Sequence, residues 1–417
     1  MLAYIVSFGA IHWLATAMYL LPWYQHVDPT LVAEGMRQSG IAMIALAVGS
    51  ELTSWVLDRR AAYLAEDEHD ITPADPFSVS LYLAIGLLLQ VVLFPLARGI
   101  PSVTALVVAG SALTVVGISL KCWNAWQLAD RRTLVMWLIA SAGLPFFTVA
   151  TQGFLGYGMA AMMTILAFIA AFHGRSWLGL IAGLLVAYLG LSVYVTYMRD
   201  RAQIRTVVWS GSSLNDRLDS VLATIGNPEL FDPRDLMQLE RIDERLNQNF
   251  LVGAAVRYLD DRHVDYAHGS TVTEAALNVI PRALWPDKPI GAGSGDLVSI
   301  YTGLEFSKET SVGIGQVMEW YVNFGTTGVM FGFLLLGFLI TLVDRRALYW
   351  AEQGDVQRFA IWYLPGLTLL QVGGAFVEMT STAAAALAVT GMLHFVTRRP
   401  AGDDVAAGFD PTHDAPG

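Results

Sequence analysis

Ten apolar stretches alternate with short polar connections along this chain of 417 residues, and one long polar stretch separates the seventh from the eighth. An apolar helix of about 20 residues crosses a hydrocarbon core of ~30 Å. Backbone groups in lipid must be hydrogen-bonded within their own segment, so these stretches should be helical. The predicted spans are 2–22, 36–57, 78–97, 102–122, 134–154, 157–173, 176–198, 325–343, 358–377 and 380–397. The pattern predicts an all-α polytopic integral membrane protein with about ten transmembrane helices.

The spans divide the chain into four parts. Residues 1–198 form a first bundle of about seven helices, and residues 199–318 form one large, partly helical extracytoplasmic loop. Residues 319–399 contain about three further helices. Residues 400–417 are polar and rich in glycine and proline, which predicts a disordered cytoplasmic tail.

The large loop contains helical patterns of its own. Asp232 followed by Pro233 is typical of a helix start, with an N-cap before proline. Apolar residues then recur every three or four positions, which predicts an amphipathic helix, at Leu236, Leu239, Ile242 and Leu246. Residues 252–259 predict a second helix packed on the first.

Lysine and arginine are distributed unevenly between the two ends of the predicted spans. With the N-terminus in the cytoplasm, eleven of them fall in or beside short cytoplasmic loops, and only Arg37 and Arg98 in the opposite ones. Short cytoplasmic loops carry the positive excess in membrane proteins. The sequence therefore predicts that both termini are cytoplasmic and that the large loop lies on the other side.

Arginine is frequent on the predicted outer side, against that trend. Three arginines directly follow the seventh predicted span, namely Arg199, Arg201 and Arg205, and the loop adds Arg257, Arg262, Arg282 and Lys288. Guanidinium groups bind phosphate through paired hydrogen bonds, so such a group of cations suits a diphosphate near the membrane surface. The alternative is that they are ordinary surface residues paired with the loop's acids.

The segment IPRALWPDKP, residues 280–289, is the most specific local feature of the loop. Pro286 and Pro289 bracket Asp287 and Lys288 and restrict the backbone on both sides. Trp285 offers a flat face for a sugar ring or an anchor at the headgroup level. The segment therefore predicts a rigid turn that presents two cations, Arg282 and Lys288, although a purely structural turn explains it equally well.

A conspicuous EWYVNFGTTG, residues 319–328, follows where the chain re-enters apolar sequence. Glu319 at this position is costly unless it is paired or lines a wet cavity, so it is a candidate general base or arginine partner. Tyr321 and Asn323 are candidate substrate contacts beside it. Glu378 invites the same interpretation more weakly, whereas Glu51 and His12 are expected to be hydrogen-bonding groups inside the bundle.

Several function classes receive no support from the sequence. The single cysteine, Cys122, excludes an internal disulfide and a cysteine-based metal site. The acids and histidines at 260–268 match no standard ligand spacing, so we expect no metal and no cofactor. No basic patch with interleaved aromatic residues indicates nucleic acid. The glycine-rich run 291–295 is not expected to open a helix, so it does not predict a nucleotide loop.

The two segments together resemble the bacterial oligosaccharide repeat unit polymerases of the Wzy type, over about fifty residues. In that family a proline-arginine turn runs into a Pro-x-Lys-Pro element, and a Glu-x-Tyr-x-Asn-x-Gly-like start of the next span follows. The matching residues here are Pro281, Arg282, Trp285, Pro286, Lys288, Pro289, Glu319, Tyr321, Asn323, Phe324, Gly325 and Gly328. Members of the family often have more than ten spans.

The resemblance implies a polymerase at the outer face of the bacterial inner membrane. It would transfer a growing O-antigen-like glycan from undecaprenyl pyrophosphate to a hydroxyl of the next lipid-linked unit, without a cofactor. Arg282 and Lys288 would stabilise the leaving pyrophosphate, with Arg257 and one of the arginines 199, 201 or 205 as weaker candidates. Glu319 would act as the base or orient an arginine, and Trp285 and Tyr321 would contact sugar. A flippase and a chain-length regulator are the expected protein partners.

Three other functions remain open. An O-antigen ligase or another glycosyltransferase with a lipid-linked donor would use similar spans, a similar loop and the same donor chemistry. A transporter would be expected to show charges at the bilayer midplane and internal repeats, which the sequence does not clearly contain. A non-enzymatic membrane scaffold is the last alternative.

Overall fold

The structure is a computed structural model, and it describes residues 1–64, 71–97, 101–172, 177–280, 285, 287–288, 293–306 and 312–397. Within these ranges all regular elements are helical and no β-strand occurs. The expected all-α class is confirmed. The predicted tail from residue 400 and the candidate Arg282 lie outside the described residues.

Nineteen α-helices follow one another along the described chain. The first eleven are α1 (Leu2–Phe8), α2 (Leu14–Met18), α3 (Pro29–Leu64), α4 (Pro76–Leu88), α5 (Phe94–Ala97), α6 (Pro101–Ser111), α7 (Leu113–Gln127), α8 (Arg131–Ala142), α9 (Leu144–Gln152), α10 (Leu155–Ala170) and α11 (Trp177–Trp209). The others are α12 (Leu214–Gly226), α13 (Leu236–Leu246), α14 (Gln248–Asp260), α15 (Ser270–Asn278), α16 (Ser294–Thr302), α17 (Gln316–Glu352), α18 (Val356–Gly366) and α19 (Phe376–Thr397).

Several consecutive helices join into longer apolar segments. Seven in the described ranges are long and apolar enough to cross a membrane, namely Pro29–Arg59, Pro76–Ala97, Val103–Gln127, Arg131–Gln152, Gly179–Trp209, Gln316–Glu352 and Phe376–Phe395. Two shorter apolar helices, Leu2–Met18 and Leu155–Ala170, correspond to the first and sixth predicted spans. The predicted ninth span is replaced by α18 and a 3-10 turn that ends at Leu370. The protein is a helical membrane protein, and the number of ten spans stays a prediction.

Three local features differ from the sequence predictions. The helix of the seventh span continues to Trp209, so Arg199, Arg201 and Arg205 lie on α11 and do not follow it. The N-cap of α13 is Asp235, whose side chain accepts hydrogen bonds from the backbone N–H groups of residues 237 and 238, and the predicted start at Asp232 is wrong. The glycine-rich run 291–295 does open a helix, because α16 begins within it.

Helices of the large loop share a core with the membrane-spanning helices. On α14, Val252, Ala255 and Val256 are buried in one hydrophobic cluster with residues of α1, α3 and α17. The backbones of α3 and α14 are in close contact, since a Cβ on Gly35 would lie 1.9 Å from the Asn249 carbonyl oxygen. A Cβ on Gly253 would lie 1.9 Å from the Leu31 carbonyl oxygen in the same way. The predicted second loop helix therefore exists, and α3 is the helix against which it packs closely.

The helix α17 is broken at Phe324 and Gly325. Gly325 has φ 64° and ψ −157°, a conformation that is open essentially only to glycine. In a straight helix residues 320 and 332 would be separated by about 18 Å along the axis. Here the Trp320 ring lies so close to Gly332 that a Cβ there would be 2.2 Å from the nearest ring atom. The piece before the break therefore doubles back along the piece after it.

The doubled-back piece carries an irregular stretch of chain, residues 312–315, into the helical bundle. There it meets a second irregular stretch, residues 371–375, between the 3-10 turn and α19. The Gln316 N–H donates to the Val372 carbonyl at 2.9 Å, and a Cβ on Gly313 would lie 1.9 Å from the Gly373 carbonyl oxygen. Non-helical backbone inside a membrane protein requires such internal hydrogen-bond partners.

Candidate functional site

Glu319 lies on the doubled-back piece of α17 and is completely buried. Its Oε2 accepts a hydrogen bond of 2.7 Å from the backbone N–H of Phe376, the first residue of α19. A carboxylate at a helix N-terminus is favoured by the helix dipole and by the unpaired N–H groups there. Its other oxygen, Oε1, has no hydrogen-bond partner among the described residues. The Thr271 side chain also acts on this carboxylate. The site therefore contains one oxygen anchored to the backbone and one that forms no hydrogen bond to the described residues.

Asn323 joins the end of the same helical piece to α15. Its Nδ2 donates to the Glu319 carbonyl and to Thr271 Oγ1, both at 2.7 Å. Its Oδ1 accepts the N–H of Gly269 at 2.9 Å, and the N–H of Ala267 donates to the Val322 carbonyl at 2.8 Å. All polar atoms of the Asn323 side chain are used within the protein. Asn323 therefore fixes the segment before α15 against the helix break, and its predicted contact with substrate stays a prediction.

Lys288 is the one predicted pyrophosphate-binding residue of the IPRALWPDKP segment that the structure describes. Its side chain is buried, and Nζ donates to the carbonyls of Asn278 at 3.1 Å and Ile280 at 2.9 Å. These carbonyls belong to the C-terminal end of α15, where a cation is favourable. The backbone N–H of Lys288 donates to the Trp285 carbonyl at 3.2 Å. Lys288 thus joins Trp285 through its backbone and the end of α15 through its side chain.

Lys288 and Glu319 are connected through the beginning of α19. Asn278, whose carbonyl binds Lys288, donates from Nδ2 to Ser381 Oγ at 2.5 Å and to the Val377 carbonyl at 3.3 Å. One residue before Val377, Phe376 donates to Glu319. We define the α19 polar cluster as Asn278, Lys288, Glu319, Asn323, Thr271 and Ser381. The structure thus connects Lys288 and Glu319 through the first turns of one helix.

The acids around this cluster make it negative. Glu274 and Glu378 lie close enough for their charges to act on Glu319. Glu378 is exposed, and its Oε2 accepts the N–H of Ala375 at 3.3 Å. Within the described ranges Lys288 is the cation that lies in the cluster, and it is bound to carbonyl oxygens.

Two of the predicted substrate-binding arginines are bound to acids elsewhere. Arg199 donates to both carboxylate oxygens of the adjacent Asp200, at 2.8 and 2.9 Å, and to the Asn227 carbonyl at 2.9 Å. Arg257 pairs with Asp28 at 3.0 Å and donates to Thr30 Oγ1 at 2.6 Å. Hydrogen bonds from Thr30, followed by the charge of Arg257, hold the pKa of the exposed Asp28 below its usual value. These contacts are with α11 and the start of α3, and they are separate from the α19 polar cluster.

The other two arginines on α11 are placed differently. The Arg205 guanidinium lies over the Phe154 ring at 4.6 Å and near the Trp209 ring at 5.2 Å. Arg201 is partly buried, and no carboxylate of the described residues forms an ion pair with it. The positive charges of Arg245 and Arg205 are close enough to act on Arg201.

The remaining candidates occupy other surroundings. Tyr321 is buried, and its ring faces that of Tyr266, with 6.3 Å between centroids. His12 is a buried hydrogen-bonding group, as expected, and its Nδ1 lies 2.8 Å from Asn249 Oδ1. Glu51 is exposed, so its expected place inside the bundle is wrong.

Two features of the candidate site are not predicted by the sequence. Gln316 accepts from Tyr4 Oη at 2.6 Å and donates to the carbonyls of Leu369 and Gln371, so it serves both irregular stretches. Its spacing of three residues from Glu319 places both on one side of a helix and was an available signal. The anchoring N–H of Phe376 has no sequence signature, because all residues other than proline carry this donor.

Comparison with known families identifies most of the chain. Residues 31–351 match the model of a domain of unknown function, DUF8712, and the protein belongs to this family. No curated protein and no solved structure matches the chain. The matched range includes Lys288, Glu319 and Asn323 but ends before α19, which completes the polar cluster around them.

Proposed function

We propose that this protein polymerises lipid-linked oligosaccharide units at the outer face of a bacterial inner membrane. One observation carries the proposal. Lys288 and Glu319, one residue from each segment that resembles the polymerase motifs, are both linked to the first turns of α19, Lys288 through Asn278 and Glu319 directly. The buried Glu319 keeps one carboxylate oxygen without a hydrogen bond to the described residues. A buried carboxylate inside a membrane protein is costly and is retained where chemistry or transport uses it.

The reaction requires three functions from the protein. A hydroxyl of the incoming lipid-linked unit attacks the anomeric carbon of the growing glycan, and the bond from that carbon to the pyrophosphate oxygen breaks. Glu319 would accept the hydroxyl proton at Oε1, while Oε2 stays bound to the Phe376 N–H. The leaving group departs as undecaprenyl pyrophosphate, whose negative charge needs cations that are already in place.

Arg282 is the first candidate for that cation, since it belongs to the same sequence segment as Lys288 and to the motif that resembles the polymerases. The bonds of Lys288 to two carbonyls support a positioning role for it beside any contact with pyrophosphate. Trp285 is partly exposed and would offer a face to a sugar ring. Roles for Arg257 and Arg199 would require their present ion pairs to open.

The test is a gene deletion in the native host, complemented with single variants, with lipid-linked and surface glycans resolved by gel. We expect the deletion strain to accumulate single capped units. Wild type should restore polymer, and Glu319→Gln should reduce it by about 100-fold or more, the typical contribution of a general base. The matched control is Glu305→Gln, an exposed acid of the same loop. Full polymer from Glu319→Gln at normal protein level would overturn the assignment of the base.

Arg282→Ala should likewise stop polymerisation, and Arg234→Ala is its control because Arg234 is an exposed loop arginine. Normal polymer from Arg282→Ala would refute the proposed leaving-group role. Full-length polymer retained on the lipid carrier in the deletion strain would show a ligase, which uses the same donor chemistry.

A transporter is the second candidate, and one structural observation favours it. Transporters bind substrates where discontinuous helices meet, and here the break of α17 brings residues 312–315 against residues 371–375. Loss of surface polymer in a deletion strain whose lipid-linked units accumulate on the cytoplasmic side would support a transporter. Unchanged glycans in every fraction would exclude both candidates.

A further inference from the structure

A cavity of about 310 Å³ lies between α9, α11 and α12, away from the α19 polar cluster. This volume is at the lower end of the roughly 300–1,000 Å³ of ligand pockets. Its walls are apolar side chains of the three helices, such as Val149, Val193 and Val221. Glu229 is the one charged residue in the lining, and it is already paired with Arg199 and Arg241. The cavity therefore suits an uncharged hydrocarbon group.

The cavity reaches the surface on its lipid-facing side. Three lining residues are also exposed, with Leu189 at 48%, Ile225 at 40% and Leu230 at 64% of their full accessible surface. Leu189 belongs to the membrane-spanning part of α11, where Leu180, Leu184 and Leu185 are exposed as well. Exposed leucines in a row on a spanning helix face lipid chains.

The helix α12 forms a cover of the cavity and is itself suited to the membrane surface. Val221 is buried against the cavity, while Leu218 and Leu222 are exposed on an adjoining strip. The opposite side carries the exposed Asp216 and Asp219. A helix with one apolar and one charged side lies at the boundary between headgroups and acyl chains.

Arg201 places a positive charge on α11 beside the cavity. Arg201 follows Tyr197, which lines the cavity, by one helical turn. It has no ion pair with a described carboxylate, and the neighbouring charges of Arg205 and Arg245 are of the same sign. An anion at this position would relieve that repulsion, and a lipid phosphate at the membrane surface would supply it.

We propose that this cavity binds one acyl chain of a bilayer phospholipid whose anionic headgroup contacts Arg201. The site is separate from the α19 polar cluster and does not depend on the glycan chemistry proposed above. The acyl chain would fill a space that the side chains leave empty, and the bound phospholipid would hold α12 against α9 and α11.

The experiment uses the full chain in nanodiscs with phosphatidylglycerol that carries a diazirine on one acyl chain, followed by peptide mapping. We expect crosslinks to concentrate on α9, α11 and α12 in the wild type. Val193→Trp, which fills the cavity, should reduce them at least threefold, and Leu184→Trp on the exposed face of α11 should not. Arg201→Gln should weaken the preference for phosphatidylglycerol over phosphatidylcholine, and the exposed Arg234→Gln should leave it unchanged.

Three results would overturn the proposal. Crosslinks spread evenly over all lipid-facing helices would mean that no site exists. Crosslinks unaffected by Val193→Trp would place the chain outside the cavity. Displacement by undecaprenyl phosphate at equal concentration, but not by unlabelled phosphatidylglycerol, would make the occupant a polyprenyl carrier. The competition is measured on wild-type protein, so it remains decisive if the tryptophan variant fails to fold.

Discussion

The contact between Trp320 and Gly332 gives the sharpest test of the doubled-back helix. Gly332→Ala would place a Cβ 2.2 to 2.4 Å from three atoms of the Trp320 ring, whereas real Cβ contacts are essentially never under 3.0 Å. The ring or the helical piece that carries it must move. Overpacking of this kind costs about 1–3 kcal/mol of unfolding free energy.

A double-mutant cycle assigns that cost to the proposed contact. Trp320→Ala alone removes a large packed side chain and should cost about 3–5 kcal/mol. In the double variant the new methyl group no longer meets the ring, so Gly332→Ala should add little. The double variant should therefore be about 1–3 kcal/mol more stable than the sum of the two single effects predicts.

The assay is reversible unfolding in mixed micelles as the fraction of sodium dodecyl sulfate increases, followed by tryptophan fluorescence and by circular dichroism. Unfolding free energies of the four proteins give the coupling directly. If Gly332→Ala cost the same with and without Trp320, the two residues would not be in contact. The doubled-back course of residues 316–323 would then be wrong.

Two further predictions concern the loop helices. Gly35→Ala would bring a Cβ to 1.9 Å from the Asn249 carbonyl oxygen, whereas a Cβ on Gly40 of the same helix meets nothing within 4 Å. In the same unfolding assay Gly35→Ala should therefore lower the unfolding free energy by about 1–3 kcal/mol or more. Gly40→Ala should be neutral or raise it by up to about 1 kcal/mol. Equal effects of the two substitutions would contradict the packing of α3 on α14. Since Thr30 and Arg257 lower the pKa of Asp28 in the folded protein, its contribution to stability is present above the unfolded pKa of about 3.9 and is lost as the pH falls through the folded value. Stability measured between about pH 5 and pH 2 should fall less steeply for Asp28→Asn than for wild type, and identical slopes would show that the contacts of Asp28 do not form in solution.

Much of the helical layout could be predicted from hydropathy. The apolar run from Gly325 onward predicted a span starting there, and the helix break falls at that glycine. The direction of the preceding piece could not be predicted, because EWYVN is compatible with a helix that continues straight. Its course depends on two backbone angles at Phe324 and Gly325 and on the space that Gly332 leaves for Trp320.

The ninth span shows why hydropathy alone was insufficient. Residues 358–377 are apolar enough to predict a continuous helix, but the α-helix ends at Gly366 and a 3-10 turn ends at Leu370. The chain then stays irregular until Phe376, because Gln316 supplies hydrogen bonds to the carbonyls of residues 369 and 371 from a distant part of the sequence. Such a partner cannot be identified from local pattern.

The sequence indicates candidate residues for the site but not how they are connected. Glu319 is a candidate because an acid at the membrane boundary is costly, and the structure shows it buried. Lys288 is a candidate cation for pyrophosphate, and its observed partners are carbonyl oxygens at the end of α15. A lysine side chain can serve either purpose, and only the position of α15 decides which groups it reaches.

The doubled-back course of α17 also dictates an order of assembly. During synthesis, residues 312–323 leave the ribosome before α18 and α19 exist, yet their hydrogen-bond partners lie at Leu369, Gln371, Val372 and Phe376. Until those residues are inserted, Glu319 lacks the N–H that binds its carboxylate, and the Gln316 amide lacks the carbonyls to which it donates, although Tyr4 is already present as a donor to Gln316. Because unpaired polar groups are costly in an apolar surrounding, we expect the piece that carries Glu319 to reach its observed place only after α19 is inserted. A chain that stopped after α17 would contain all residues of the DUF8712 match and would still be unable to hold Glu319 in its observed place.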